Sequence, residues 1–291
     1  MVHLKEFLKY VETAYLHDKI CTFRDLDFKK MSYQEVQSAI LDVISFDTPQ
    51  GKRCILTQMN SSYPAGTRFY RVRSLAEDDR HLPLRAMSKV TDCWEPPEKI
   101  VSAGRLNRAN ESLLYTAPQL PAVAIDEMKI PDSQLFSLIV YESTAPIFVT
   151  MIGSPPNVEG LNSEEALKLR MIQDFLKHEF IRDVGSGTEY LYRISESITK
   201  DYFDLPPDIQ DAWCYPSVAK KGAFNVCFRK GNRSKLNLIG VQIASVVREN
   251  NNYLFSVKAI AVDSGDGVNL AYYNIGHDIQ RKLFPEISSC I

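Results

Sequence analysis

The chain has no Cys-x-x-Cys pair, and its six cysteines, at positions 21, 54, 93, 214, 227 and 290, lie far apart. Its five histidines, at 3, 17, 81, 178 and 277, are as widely scattered. Neither set has the spacing of a zinc site, so no metal site is expected, and the cysteines read as ordinary thiols. GxxxxGK[ST], a GxGxxG behind a strand, GxSxG and HExxH are all missing. A phosphate-cradling P-loop, a dinucleotide fingerprint, a nucleophile elbow and a zinc-protease helix are thereby set aside. No run approaches the roughly 20 apolar residues that cross a bilayer. The first residues, MVHLKEFLKYVETAYLHDKI, carry charges every few positions, unlike a signal peptide. A net charge of −2 and a pI near 6.2 lack the basic excess of a nucleic-acid binder. A cytoplasmic protein with neither a membrane nor a nucleic-acid partner is expected.

What is present is an ordinary globular balance, 45% hydrophobic and 24% charged over 291 residues, enough for one large domain or two smaller ones. Leu4, Phe7, Leu8, Val11, Ala14 and Tyr15 fall on one helical face across 3–18. Ser32 with Glu35 forms a capping-box signature ahead of Val36, Ala39, Ile40, Val43 and Ile44. DTPQGK reads as a turn and RCILTQM, 53–59, as a strand. Residues 1–60 therefore read as a helical N-terminal extension.

From residue 61 onward short β-rich runs follow: FYRV (69–72), SLLYTA (112–117), AVAIDEMKI (122–130), LFSLIVY (135–141) and PIFVTMI (146–152). Ser163 caps a helix through Leu167, Met171, Phe175 and Leu176 that ends near the glycines at 185 and 187. A second helix covers 189–203. CYPSV and AFNVCF return to strand, and LNLIGVQIASVV and NYLFSVKAIAV form two long strands joined around ENNN. A last helix is expected over 273–284. Strands and helices are grouped rather than alternating, which favours α+β over a doubly wound sheet.

Chemistry-bearing residues gather in three places. In FYRVR, Arg71 and Arg73 share one face of a strand, either as a solvated face or as planar forks for phosphate oxygens. In GRLNRANESLLYTAP, with its continuation AVAIDEMKI, Arg105, Asn107 and Arg108 precede Tyr115. Asp126 and Glu127 then interrupt an apolar strand, one facing solvent and the other a cleft where it needs a partner. In WCYPSV, Ser217 follows Pro216; without a neighbouring histidine it suits a turn better than a nucleophile.

In this order and spacing, FYRV, then GRLN with LLYTA and an A-x-x-E, then YPSV followed by a glycine and AFNVCF resemble the RES-domain family, named for an arginine, a glutamate and a serine. The resemblance covers about 66–232. It implies an ADP-ribosyltransferase-like β core with flanking helices, here a catalytic domain over 61–291 with a strand–strand–helix extension from 233. It further implies an enzyme that cleaves the nicotinamide–ribose bond of NAD by hydrolysis or phosphorolysis, toxin-like, with NAD as substrate and no further cofactor. Arg71, Glu127 and Ser217 become the catalytic set. Arg105, Tyr115 and Asn107 become the NAD-binding set, the arginines on phosphate and the tyrosine against a ring. Asp126 stands as a rival to Glu127. Leu106 and RANES replace the tryptophan and Pro-Gly turn usual in that family. Protein ADP-ribosylation and a silent nucleotide- or partner-binding module are the alternatives. An NAD-consuming enzyme needs restraint, from an inhibitory antitoxin-like partner or from residues 1–60.

Overall fold

The computed structural model describes residues 2–229, 231–250 and 252–287. In chain order its helices are α1 (Val2–Leu8), α2 (Thr13–Arg24), α3 (Tyr33–Ile44), α4 (Pro121–Glu127), α5 (Ser163–Phe180), α6 (Tyr192–Tyr202) and α7 (Asp278–Leu283). The strands are β1 (Phe46–Thr48), β2 (Gly51–Arg53), β3 (Met59–Tyr63), β4 (Arg68–Ser74), β5 (Leu114–Pro118) and β6 (Phe136–Ser143). They continue with β7 (Ile147–Met151), β8 (Ala212–Pro216), β9 (Phe224–Phe228), β10 (Leu236–Glu249), β11 (Asn252–Asp263) and β12 (Leu270–Asn274). The class is mixed α+β, as expected. The chain divides into two compact units. One comprises the residues up to Ser61 with Glu98–Glu111 and Val149–Pro216; the other comprises Ser62–Pro97, Ser112–Phe148 and the chain from Ser217 onward. A boundary does fall near residue 60, but 61–291 is itself shared between the units.

The first unit is mainly helical. Ser32 accepts from the Glu35 amide while the Glu35 carboxylate accepts from the Ser32 amide, completing the capping box read from sequence. The expected helix over 3–18 is two helices. After Leu8 the chain closes with short bonds from Tyr10 N to Phe7 O and from Val11 N to Leu8 O, and it restarts at Thr13. That restart advances the apolar stripe by one residue: Tyr15 is exposed while Leu16 and Ile20 enter the core. Phe23 packs edge-on against Phe175 of α5 at 5.0 Å. RCILTQM is not a strand throughout: Arg53 ends β2, which pairs with Phe46–Thr48, Met59 opens β3, and 54–58 belong to no strand. In the same unit Val149–Met151 pairs in parallel with Ala212–Cys214.

The second unit is built on seven strands in the order β12-β11-β10-β6-β4-β5-β9, every neighbouring pair antiparallel. One face of this sheet carries Val72, Leu138, Val140, Ala117, Ala244 and Ile260 against Val123, Ala124 and Ile125 of α4 and Phe284 after α7. Strand alternation turns Phe69, Arg71, Arg73, Ile139 and Tyr141 to the opposite face. There Phe69 meets Phe228 at 5.2 Å and Tyr141 meets Trp94 at 5.1 Å.

Two expected elements are corrected in this unit. AVAIDEMKI is not a strand but helix α4 and its exit. Pro121 stands in the first helical turn, where its fixed φ suits a helix and its missing N–H costs nothing. Lys129, at φ 49°, stops the helix in the left-handed conformation. The expected last helix over 273–284 is shorter: Tyr273 and Asn274 end strand β12, which pairs with Ala259–Asp263, and α7 starts only behind His277.

Candidate functional site

Helix α4 ends by presenting two acids, and about 100° of helical rotation separates them. This replaces the strand reading in which they would point to opposite sides. Each acid has its own set of partners, all within the second unit. Glu127 Oε1 accepts from Ser217 Oγ at 2.5 Å and from Asn225 Nδ2 at 2.7 Å. Among the described residues no donor reaches Oε2, so one oxygen is fixed and the other is open.

The serine is positioned by the turn it closes. Ser217 Oγ also accepts from Lys220 N at 3.0 Å, while Ser217 N donates to Ala223 O at 2.8 Å. The turn role read from sequence is therefore real, and the hydroxyl proton remains available to the carboxylate. Asn225 comes from β9, and both Ser217 and Asn225 are buried. In the β5–β9 ladder Tyr115 stands opposite Cys227. Residues two apart on a strand share a face, so Tyr115, Cys227 and Asn225 lie on the side that α4 covers.

Asp126 is held by a different group. Tyr253 Oη donates to Oδ2, Arg248 Nη2 donates to Oδ1 at 3.3 Å, and Lys220 Nζ lies 3.9 Å from Oδ2. Arg248 is itself anchored on Ile130 O at 3.0 Å and on the Asp132 carboxylate. The ammonium of Lys220 sits 4.5 Å from the centre of the Tyr253 ring. With its carboxylate bound by this cluster, Asp126 buttresses the helix end, and Glu127 is the acid with an oxygen to offer.

Arg71, in the same unit, does not join them. Arg71 points to the opposite sheet face from α4, beside Arg73 and Tyr141. Burial depresses its guanidinium against the raising influence of Tyr141, and its Nε is buried without an acceptor. Burial likewise pushes the Tyr141 hydroxyl well up, and that hydroxyl donates to Cys93 O. Arg105 belongs to the first unit, where its guanidinium caps the end of α5 by donating to the carbonyls of Phe180 and Arg182. Asn107 is buried in the same unit and shapes its own loop, donating from Nδ2 to Ser102 O at 2.9 Å and Arg108 O at 2.8 Å. Leu106 is fully buried.

Sequence reasoning missed Asn225, Lys220, Arg248 and Tyr253. Asn225 had a signal, since it is the polar residue inside the apolar run AFNVCF. Arg248 and Tyr253 had none, because only the β10–β11 turn returns them to α4. Among the described residues no cluster of three or more His, Cys, Asp or Glu is placed to hold a metal ion, and no helix is long and apolar enough to cross a membrane. Compared with protein-family models and with curated proteins, the chain has no match.

Proposed function

We propose that the chain cleaves the nicotinamide–ribose bond of NAD, as RES-domain enzymes do, on an ADP-ribosyltransferase-like scaffold. The observation that carries this reading is the Glu127 carboxylate, held at Oε1 by Ser217 and Asn225 and open at Oε2. Two of the three residue types that define the family resemblance, the glutamate and the serine, are thus in contact across 90 residues of chain.

The chemistry asks for little else. The C1′–N bond breaks with its electron pair leaving on nicotinamide, positive charge develops on the ribose, and water or phosphate adds to C1′. A carboxylate oxygen beside the ribose accepts from its hydroxyls and stabilises that charge, as acids do at glycosidic centres. Anchoring by neutral donors keeps Glu127 in one rotamer without cancelling its charge. Tyr115 offers a ring on the same sheet face, and Lys220 brings a cation to the end of α4 for the diphosphate. Arg105 is engaged on the carbonyls of Phe180 and Arg182, and Arg71 lies on the opposite sheet face from α4.

The test is nicotinamide release from NAD by the purified full chain, with and without phosphate. Turnover is expected, and Glu127→Gln should lower it by about 10²–10³, the cost of removing one charge-stabilising group. NAD left intact after long incubation at high protein concentration would overturn the reading. A toxin-like role with an inhibitory partner follows only if turnover is found.

A further inference from the structure

Ser217 opens an exposed turn, a poor place for a hydroxyl that must hold a carboxylate in one orientation. From Val218 to Gly222 every residue is exposed except Lys220. Lys220 anchors the turn, and it does so at both ends. Its backbone N–H donates to Ser217 Oγ at 3.0 Å, which leaves the hydroxyl proton for Glu127 Oε1. Its ammonium reaches Tyr253, 3.4 Å from Oη and 4.5 Å from the ring centre.

Tyr253 also meets the acid next to Glu127. Its Oη donates to Asp126 Oδ2, and Arg248, its direct partner across β10 and β11, donates to Oδ1 at 3.3 Å. The exit of α4 is fastened to the same hairpin. Ser133 N donates to Val246 O at 2.8 Å, and Arg248 Nη1 donates to Ile130 O at 3.0 Å. One phenol thus joins the two elements that meet at the Glu127–Ser217 bond. It holds the end of α4 through Asp126 and the serine turn through Lys220, while it makes no hydrogen bond to Glu127 or Ser217 itself among the described residues.

We propose that Tyr253 is a positioning residue for the Glu127–Ser217 pair, acting through Asp126 on the carboxylate and through Lys220 on the hydroxyl. On the NAD-cleaving reading, on which its kinetic consequence rests, Tyr253 serves the chemical step rather than substrate binding. Tyr253→Phe keeps a ring beside the Lys220 ammonium but removes the donor to Asp126 and the acceptor for Lys220. The helix end and the turn then lose their common anchor, and a shift of about 1 Å at a reacting group costs up to about 10²-fold in rate.

Two measurements on the full chain test this. The first needs no substrate: urea denaturation of Tyr253→Phe, Ser217→Ala and the double variant. Costs at independent sites add, whereas costs within one network do not. The double variant is expected to lose clearly less stability than the sum of the two single variants. A loss equal to that sum overturns the proposal, whatever the chain does with NAD. The second is NAD cleavage, where Tyr253→Phe should lower kcat by about tenfold with KM unchanged. An unchanged kcat, or a raised KM at constant kcat, overturns the proposal. In a Glu127→Gln background the same substitution should have almost no further effect on kcat; a full tenfold loss there, the mark of general structural damage, overturns it as well. A parent chain without NAD turnover sinks the NAD reading alone and leaves the denaturation cycle to decide the role of Tyr253.

Discussion

Asn225→Asp places a second carboxyl group where the Asn225 amide now donates to Glu127 Oε1 at 2.7 Å. The side chains are nearly isosteric, so what changes is one lost donor and one new charge. Two carboxylates relaxed to about 4 Å repel by about 4 kcal/mol at the effective dielectric of a protein surface. Residue 225 is only 6% exposed, which keeps the new charge from escaping into water, whereas Glu127 is half-buried and can swing outward. A destabilisation of about 2–4 kcal/mol at pH 7 is therefore expected. The sign with pH follows from linkage. Repulsion raises the folded-state pKa of the pair above the unfolded value of about 4, so the folded variant binds more protons than the unfolded one. The penalty is then absent well below pH 4, grows as pH rises from there through the raised folded pKa, and is constant above it. Asn225→Ala removes the donor without adding charge and should carry a smaller cost with no such pH dependence. Urea denaturation of the three proteins between pH 4 and 8 measures both. An Asn225→Asp penalty under about 1 kcal/mol at pH 7, or one as large at pH 4 as at pH 7, would refute the contact between Glu127 and Asn225.

Two further outcomes test how the second unit supports the site. Tyr253→Phe deletes the hydroxyl that donates to Asp126 Oδ2 and should cost about 1.5–3 kcal/mol, the range for a hydrogen bond to a charged group, read by urea denaturation. Gly240, at φ 149°, lies where β10 slips register against β6, and a Cβ there would meet Ala261 O at 2.8 Å and Val262 Cγ1 at 2.9 Å. Gly240→Ala should therefore lose about 2–4 kcal/mol and lower the melting temperature by several degrees; an unchanged melting temperature would show that β10 yields there.

The parts of the fold that sequence made legible are those whose signal is local. The capping box at Ser32, the strands around Arg71 and Tyr115, and the long apolar runs of β10 and β11 all sit close to where patterning puts them. The failures have two physical sources. In AVAIDEMKI, Val123 and Ile125 carry β-branched side chains that suggest a strand. Pro121 is compatible with either element, so the outcome was set by packing, which buries Val123, Ala124 and Ile125 in succession. In RCILTQM the side chains suit a strand, yet 54–58 belong to no ladder, and strand formation depends on one. The site shows the same division. Glu127 and Ser217 were singled out from separate motifs, and they are in contact. Arg248 and Tyr253 were out of reach, because their link to Asp126 exists only once β10 and β11 pair from Glu249 and Asn252 back to Val241 and Ala261.

GRLNRANESLLYTAP carries residues of both units. A unit boundary falls within it, after Glu111: Arg105 and Asn107 belong with the helical unit, and Tyr115 belongs with the sheet. Arg105 donates through both terminal nitrogens to carbonyls at the end of α5, with Nη1 on Phe180 O and both Nη1 and Nη2 on Arg182 O. The planar fork that would also suit a phosphate is here engaged on main-chain carbonyls. Arg105→Lys separates the two roles. A phosphate contact would survive it in part, with little effect on the unliganded fold. An ammonium cannot reproduce the fork on two helix-end carbonyls, so a loss of about 1–2 kcal/mol in the absence of any nucleotide is expected. Thermal denaturation of the ligand-free variant decides it: a melting temperature equal to that of the parent chain would refute the structural role of Arg105 at the end of α5.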